Sequence, residues 1–124
     1  MLYRIIIAGG RSFSDYKLLK DKLDYYLRDK VRQGYEIIII SGTANGADKL
    51  GERYAMERGY KIERYPADWN KYKKAAGYRR NVQMSEVANA CVVFWDGISL
   101  GSKHMIDIAT NKGLPLRVVR YTKE

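Results

Sequence analysis

The sequence predicts an α/β fold in which about five mostly parallel strands form one sheet with helices on both of its faces. Short runs of β-branched and aromatic residues alternate along the chain with longer segments in which apolar residues recur every three or four positions. This alternation is typical of parallel strands joined by crossover helices. Four consecutive isoleucines at 37–40 support it, because a strand that is apolar at every position is expected to be buried on both faces.

The first three elements follow from local signals. Residues 2–8 form an apolar run that ends at two glycines, and residues 36–40 form the second strand. Between them, residues 15–33 have helical spacing, and Gly34 ends the helix. The apolar side of this predicted helix consists of Leu19, Leu23, Tyr26, Leu27 and Val31.

The remaining elements continue the alternation. They are predicted as helix 47–58, strand 61–65, helix 74–88, strand 90–95, helix 101–112 and strand 115–121. Gly59 and Gly113 directly follow two of these helices, as is common at helix ends. Pro66 bounds the third strand, and a loop through Asp68 and Trp69 leads to the next helix.

The composition indicates a single folded domain over residues 1–124. Hydrophobic residues make up 46% of the chain, which is enough for a core. The formal net charge of +9 predicts a surface that attracts polyanions such as nucleotides or nucleic acid. Alternatively, the positive charge serves only to keep the protein soluble. The basic residues are spread over the whole chain, which argues against a dedicated nucleic-acid-binding arm.

The content of cysteine and histidine excludes several classes of site. Cys91 is the single cysteine, so it forms no intramolecular disulfide, and its apolar neighbours predict a buried, inert thiol. One cysteine and one histidine argue against zinc, and we predict no metal and no cofactor. No apolar segment approaches the roughly 20 residues of a membrane span. Since no secretory signal is present either, we expect a cytoplasmic protein without a membrane partner.

Three glycine-containing turns follow predicted strands, at residues 9–13, 41–48 and 96–102. In open parallel sheets, ligands bind beyond the carboxyl ends of the strands, where glycines and helix N-termini present backbone N–H groups to anions. Arg11 adds a guanidinium that fits a phosphate with two hydrogen bonds, and Ser41 adds a hydroxyl donor. Because all three turns are expected at the same edge of the sheet, they predict a phosphate site there. Each turn taken alone could equally be a tight strand-to-helix turn that binds no ligand. The Gly-x-Gly-x-x-Gly dinucleotide fingerprint is absent.

The segment 65–81, rich in aromatic and basic residues, also indicates a nucleotide ligand. Trp69 provides a flat face on which a base can stack, and Asp68 can accept hydrogen bonds from ribose or base. Arg80 supplies positive charge, and Asn81 can bond a base edge. The alternative is that Trp69 packs beneath its loop and the basic side chains are only hydrated.

Signals for catalysis are sparse. Cleavage of an N-glycosidic bond needs a placed acid and carboxylate, for which the candidates are Asp48, Glu52, Asp68 and His104. Acids at a helix start more often serve as caps or partners of positive charge, and a histidine one turn into a helix is more often a surface or partly buried side chain. We therefore favour binding over catalysis.

At these residues the chain resembles the YspA, cpYpsA-related SLOG family. The motifs, in order over nearly the whole chain, are Ile-Ala-Gly-Gly-Arg-Ser-Phe, Ser-Gly-Thr-Ala-Asn-Gly-Ala-Asp, Tyr-Pro-Ala-Asp-Trp with Ala-Gly-Tyr-Arg-Arg-Asn, and Asp-Gly-x-Ser-x-Gly-Ser. The resemblance implies a Rossmann-like sheet that binds nucleotides or nucleotide-derived ligands at the glycine turns. The wider superfamily includes phosphoribohydrolases and proteins that bind single-stranded DNA, and family members are often associated with phages and bacterial conflict systems. The glutamate of the phosphoribohydrolase signature Pro-Gly-Gly-x-Gly-Thr-x-x-Glu is missing here, which favours binding over hydrolysis.

The residue analysis and the resemblance together define a predicted ligand site. It comprises Gly9, Gly10, Arg11, Ser41, Gly42, Thr43, Gly46, Ala47, Asp48, Asp68, Trp69, Arg80, Asn81, Gly97, Ser99, Gly101 and Ser102, and the resemblance adds Gly77. The predicted function is binding of a nucleotide-like small molecule, as a sensor or sequestering protein in phage or bacterial conflict signalling. The alternatives are a phosphoribohydrolase-like N-glycosidase and a single-stranded nucleic-acid binder. Association of copies through helix faces into a homo-oligomer is a further prediction.

Overall fold

A computed structural model, which describes residues 1–122, has a five-stranded parallel sheet in the order β3-β2-β1-β4-β5. The strands are β1 (Leu2–Gly9), β2 (Glu36–Ser41), β3 (Lys61–Arg64), β4 (Ala90–Trp95) and β5 (Leu116–Arg120). The helices are α1 (Tyr16–Arg32), α2 (Ala47–Arg58), α3 (Trp69–Tyr72), α4 (Ala76–Val87) and α5 (Leu100–Asn111). The predicted α/β fold is confirmed.

Side chains of the central strand β1 alternate between two separate apolar cores. Ile5 and Ile7 belong to the core that contains Leu19, Leu23 and Leu27 of α1 together with apolar residues of α2. Ile6 and Ala8 belong to the core on the opposite face, which contains Met84 of α4 and Met105 of α5. A strand with both faces covered must be apolar at every position, and this explains the continuous isoleucine run of the neighbouring β2.

Two sequence expectations about the helices need correction. Val31 was expected on the apolar side of α1, but 49% of it is exposed because it lies in the last turn, beyond the buried positions. The third long helix begins at Ala76 rather than at residue 74, after the short helix α3 and a 3₁₀ turn. Lys73 separates α3 from α4 because its φ of 52° interrupts the helical backbone.

The strand order reverses between β1 and β4. The chain passes from β1 to β2 and β3 on one side, and from β4 to β5 on the other. At the carboxyl ends of this central pair, Gly9 is paired with Phe94, and Gly10 N donates a hydrogen bond of 3.0 Å to the Phe94 carbonyl. The connections therefore diverge here and leave a crevice, which is where open α/β sheets bind ligands.

Within residues 1–122, no helix has the length and apolar character that a membrane span requires.

Candidate functional site

A cleft of about 510 Å³ occupies the crevice at the carboxyl ends of β1 and β4. Residues from the turns after β1, β2 and β4 line it, together with the first turn of α5 and one side of α4. The three glycine-containing turns thus meet at one edge of the sheet, as the strand order requires.

Close backbone packing holds the turns after β1 and β2 together. The Gly10 carbonyl accepts a hydrogen bond of 3.2 Å from Ala47 N. A Cβ at Gly9 would lie 2.2 Å from the Phe94 carbonyl oxygen, and a Cβ at Gly46 would lie 2.2 Å from the Gly10 oxygen. Glycine is therefore required at both positions by the fold. Gly46 and Ala47 support the turn after β1 and do not line the cleft.

The turn after β2 is built around a buried carboxylate. Ser41 is fully buried, and its hydroxyl donates to Glu52 Oε2 at 2.6 Å and accepts from Thr43 N at 3.1 Å. The second Glu52 oxygen accepts a hydrogen bond of 3.1 Å from Arg64 Nε. Ser41 and Glu52 are therefore engaged with the protein itself, and Ser41, Thr43 and Glu52 do not line the cleft.

Of the four catalytic candidates, Asp48 lines the cleft and the other three do not. Its Oδ2 accepts a hydrogen bond of 3.1 Å from Ala44 N. Burial raises the pKa of the Asp48 carboxyl from 3.8 to about 6, although the Ala44 N–H and the charges of Arg80 and Arg11 act in the opposite direction. The carboxyl therefore changes its protonation state close to neutral pH.

Asp96 organises the turn after β4. Its Oδ1 accepts hydrogen bonds from Ile98 N and Ser99 N, both at 2.8 Å. Asp96, Ile98 and Ser99 line the cleft, whereas Gly97 does not. Gly97 has a φ of 87°, and a Cβ there would lie 2.1 Å from the Arg120 guanidinium, so its glycine serves the turn.

The first turn of α5 faces the cleft through Gly101 and Ser102. The backbone N–H groups of a first helical turn lack partners within the helix and carry the positive end of its dipole. A Cβ at Gly101 would meet no protein atom within 4 Å. The fold itself therefore leaves open space beside this glycine, which lines the cleft.

A chain of hydrogen bonds holds Arg80 at the cleft. Its Nη1 donates to the Gly42 carbonyl, and its Nε donates to Asn81 Oδ1 at 3.1 Å. The Asn81 amide nitrogen lies 3.3 Å from the Gly101 oxygen and 3.2 Å from His104 Nδ1. Because Arg80 can only donate and a carbonyl can only accept, the amide has one orientation, and His104 Nδ1 must accept.

This arrangement makes His104 a support for the cleft. The residue does not line the cleft but fixes Asn81, which is 6% exposed. Burial lowers the pKa of His104 below its usual 6.5, although the charge of Asp107 acts in the opposite direction. The imidazole is therefore neutral at neutral pH and can act as the acceptor.

The aromatic side of the cleft is formed by Trp69, which is 49% exposed and lies in the short helix α3. The Arg11 guanidinium carbon lies 5.9 Å from the centre of the Trp69 ring. Asp68, the residue before Trp69, does not line the cleft. Its Oδ1 caps α3 by accepting a hydrogen bond of 3.1 Å from Lys71 N, and the residue lines a separate cavity of about 470 Å³.

The structure brings ten of the seventeen predicted ligand-site residues into the cleft. They are Gly9, Gly10, Arg11, Asp48, Trp69, Arg80, Asn81, Ser99, Gly101 and Ser102. The other seven lie outside it, namely Ser41, Gly42, Thr43, Gly46, Ala47, Asp68 and Gly97. Gly77, which the resemblance added, also lines the cleft.

Sequence reasoning did not single out Tyr78 or the two methionines of the cleft, Met84 and Met105. The Tyr78 ring packs edge-on against His104, with 4.5 Å between ring centres. Helical spacing was an available signal for Tyr78, since it lies three residues before Asn81 on the same face of α4. The sequence could not have identified the two methionines as cleft residues, because a methionine at a buried position of a helix has the same pattern as any residue of the hydrophobic core.

The described residues also bear on a metal site and on a nucleophilic cysteine. Among residues 1–122, no three His, Cys, Asp or Glu side chains lie together as a metal site would require. Cys91 is buried in β4, and burial raises the pKa of its thiol to about 12, so it is protonated and unsuited to nucleophilic attack.

Known proteins resemble this chain over most of its length. A model of the YspA, cpYpsA-related SLOG family matches residues 3–72. The Gene 61 protein of Mycobacterium phage D29 is 32% identical over 119 residues, which cover 91% of this chain and 93% of that protein. The chain belongs to the YspA, cpYpsA-related SLOG family. The matched residues include the turns after β1 and β2 and the Trp69 helix.

Solved structures show the same fold in more distant proteins. DNA processing protein A (DprA) from Streptococcus pneumoniae has a TM-score of 0.70 at 19% identity, and the match covers 94% of this chain and 50% of the DprA chain. The protein TM1055 has a TM-score of 0.64 at 18% identity, with 94% of this chain and 72% of that chain covered. This family member thus spans half the length of the DprA chain and shares its fold.

Proposed function

We propose that the cleft binds a nucleotide or a nucleotide-derived small molecule and that the protein acts as a sensor or sequestering protein. The observation that carries this proposal is the convergence of three strand-end turns and two arginines on one cleft at the reversal of strand order. Similarity to the Gene 61 protein of Mycobacterium phage D29 supports a phage setting, and the pathway we propose is phage or bacterial conflict signalling.

The phosphate of such a ligand would lie between the first turn of α5 and the guanidinium groups. Gly101 leaves room for close approach to the backbone, and Arg11 and Arg80 supply charge-assisted donors. The base and ribose would lie against the aromatic side, where Trp69 and Tyr78 present ring surface next to the apolar methionines of the cleft.

Isothermal titration calorimetry against a panel of nucleotides tests the proposal, with two variants that report on the phosphate. Arg11→Ala should lower affinity at least about tenfold, because a charge-assisted hydrogen bond contributes roughly 1.5–3 kcal/mol. The matched control is Arg28→Ala, which removes the same charge from the exposed surface of α1 and should leave affinity unchanged. Absence of saturable heat with every nucleotide would refute the proposal.

Gly101→Ala separates ligand contact from folding. The added methyl group meets no protein atom, and alanine has the higher helix propensity, so thermal stability should be equal to or above that of the parent. Nucleotide affinity should fall at least about tenfold, because the methyl group occupies the space through which the phosphate reaches the backbone. Retained affinity in the folded variant would contradict a phosphate at this helix start.

A nucleotide N-glycosidase is the second candidate, and Asp48 is the observation that favours it. A carboxyl in the cleft with a pKa of about 6 can donate a proton to a leaving base near neutral pH. Release of free base from nucleoside monophosphates, abolished in Asp48→Asn, would support this activity. Glu52 and His104 are poor candidates for it, because both are engaged with other protein groups.

Binding of single-stranded nucleic acid is the third candidate. It is favoured by the net charge of +9 and by Tyr72, Lys71 and Arg79 around the neighbouring cavity of about 470 Å³. Binding of this kind should weaken steeply with salt, and long oligonucleotides should compete better than mononucleotides. A small-ligand cleft gives the opposite preference in the same competition experiment.

A further inference from the structure

A second cavity, of about 370 Å³, adjoins the proposed nucleotide cleft at Arg80 and Trp69. It shares Arg11, Ala44, Trp69 and Arg80 with the cleft and continues along the loop after β2 to Thr43 and Asn45. The two arginines and the tryptophan therefore border both spaces, and one ligand could contact them from either side.

The two spaces differ in charge. The cleft contains the carboxyl groups of Asp48 and Asp96 besides its cations. Among the residues described for the second cavity, the charged side chains are the guanidinium groups of Arg11 and Arg80, with no carboxylate. The second cavity is thus the more favourable of the two for an anion.

Hydrogen bonds hold the Arg80 guanidinium at the border of the second cavity, where it can contact an anion. Gly42 makes that position possible, because a Cβ there would lie 2.6 Å from Arg80 Nη1. Burial lowers the pKa of Arg80, and the nearby charge of Arg11 lowers it further, while Asp48 acts in the opposite direction. Both Arg11 and Arg80 border the second cavity, so an anion there faces two positively charged groups that can donate charge-assisted hydrogen bonds.

We propose that the second cavity is an anion subsite, so that the ligand of the cleft carries two linked phosphate groups, as a nucleoside diphosphate or a diphosphate-bridged dinucleotide does. This inference rests on the proposed nucleotide binding. Arg11 and Arg80, which border both spaces, contact both phosphate groups, and the second phosphate extends toward Asn45.

Calorimetry with matched ligands and an isosteric variant tests this subsite. The probes are AMP against ADP, and inorganic phosphate against pyrophosphate, which removes any preference for the base. The parent protein should bind the diphosphate of each pair at least about tenfold more tightly, equivalent to about 1.4 kcal/mol. Asn45→Asp places a carboxylate in the second cavity without changing its shape and should reduce that ratio to within about threefold.

A control is needed because a protein of net charge +9 favours the more highly charged ligand everywhere. Asn111→Asp makes the same amide-to-carboxylate change at the exposed last residue of α5, which lines none of the three cavities, and should preserve the tenfold ratio. If Asn45→Asp does not fold, Ala67→Glu compared with Ala67→Gln makes the same test at another residue of this cavity.

The outcomes distinguish the subsite from the nucleotide cleft itself. Equal affinity for AMP and ADP, or an unchanged ratio in Asn45→Asp, would overturn the subsite while nucleotide binding stands. Failure of the four probes to bind while another nucleotide of the panel binds would also overturn the subsite alone. Failure of the four probes and of the whole panel would overturn the nucleotide cleft, and the subsite with it.

Discussion

Replacement of Asp48 by asparagine tests whether the cleft contains a carboxyl group that costs folding free energy. Burial raises the pKa of Asp48 from 3.8 to about 6. A carboxyl with a higher pKa in the folded chain favours folding while it is protonated. The stability that the protonated Asp48 carboxyl contributes is fully present below pH 3.8. It is lost as the pH rises through about 6, because the carboxyl then ionises in the folded protein too. The difference between the two pKa values corresponds to about 3 kcal/mol of unfolding free energy.

The assay is urea unfolding of parent and Asp48→Asn proteins at several pH values from about 4 to about 8. Asparagine keeps the oxygen that accepts from Ala44 N but carries no charge. We therefore expect the variant to be more stable by up to about 3 kcal/mol at about pH 8 and equal to the parent near pH 4.

Asp29→Asn is the control for this series, because it removes a carboxylate from the exposed surface of α1 and should change stability by less than about 0.5 kcal/mol at each pH. A parent more stable than Asp48→Asn at about pH 8, or a stability difference that does not vary with pH, would refute the reasoning.

Two further predictions concern residues behind the cleft. Glu52→Gln should lower the unfolding free energy by about 1–3 kcal/mol, measured in urea, since Arg64 loses its charged acceptor. Nucleotide affinity should be unchanged, and lost affinity at full stability would place Glu52 in the cleft instead. For His104, nitrogen NMR at about pH 8 should find the proton on Nε2, because Nδ1 accepts from the Asn81 amide. A proton on Nδ1 would contradict that hydrogen bond, and the single histidine makes its assignment unambiguous.

The strands and the long helices could be predicted from the sequence because their burial leaves a regular pattern. The isoleucine run identified β2, and the spacing of Leu19, Leu23 and Leu27 identified α1. The short helix α3 has four residues, too few for periodicity, and depends on the Asp68 cap and the positive φ of Lys73. Such local events are decided by single side chains and backbone angles.

The candidate site could be predicted less completely, for a related reason. A turn motif shows which residues are near the sheet edge but not which way each one faces. Ser41 looks like a hydroxyl donor for a ligand, yet it bonds to Glu52, eleven residues later in the chain. Gly9 and Gly46 look like ligand-facing glycines, but backbone packing already requires them. By contrast, Gly101 has no such structural requirement, and only the three-dimensional surroundings reveal the difference.

The anchoring of Arg80 also bears on how the cleft selects its guest. A long basic side chain in solution samples many rotamers, and a ligand that captures it must offset the entropy of ordering it. Here the Gly42 carbonyl and Asn81 have ordered the guanidinium during folding. A fixed guanidinium cannot move to meet an anion that is bound in a different place. The rigidity of Arg80 therefore lowers the affinity for misaligned ligands as well as raising it for ligands of matching geometry.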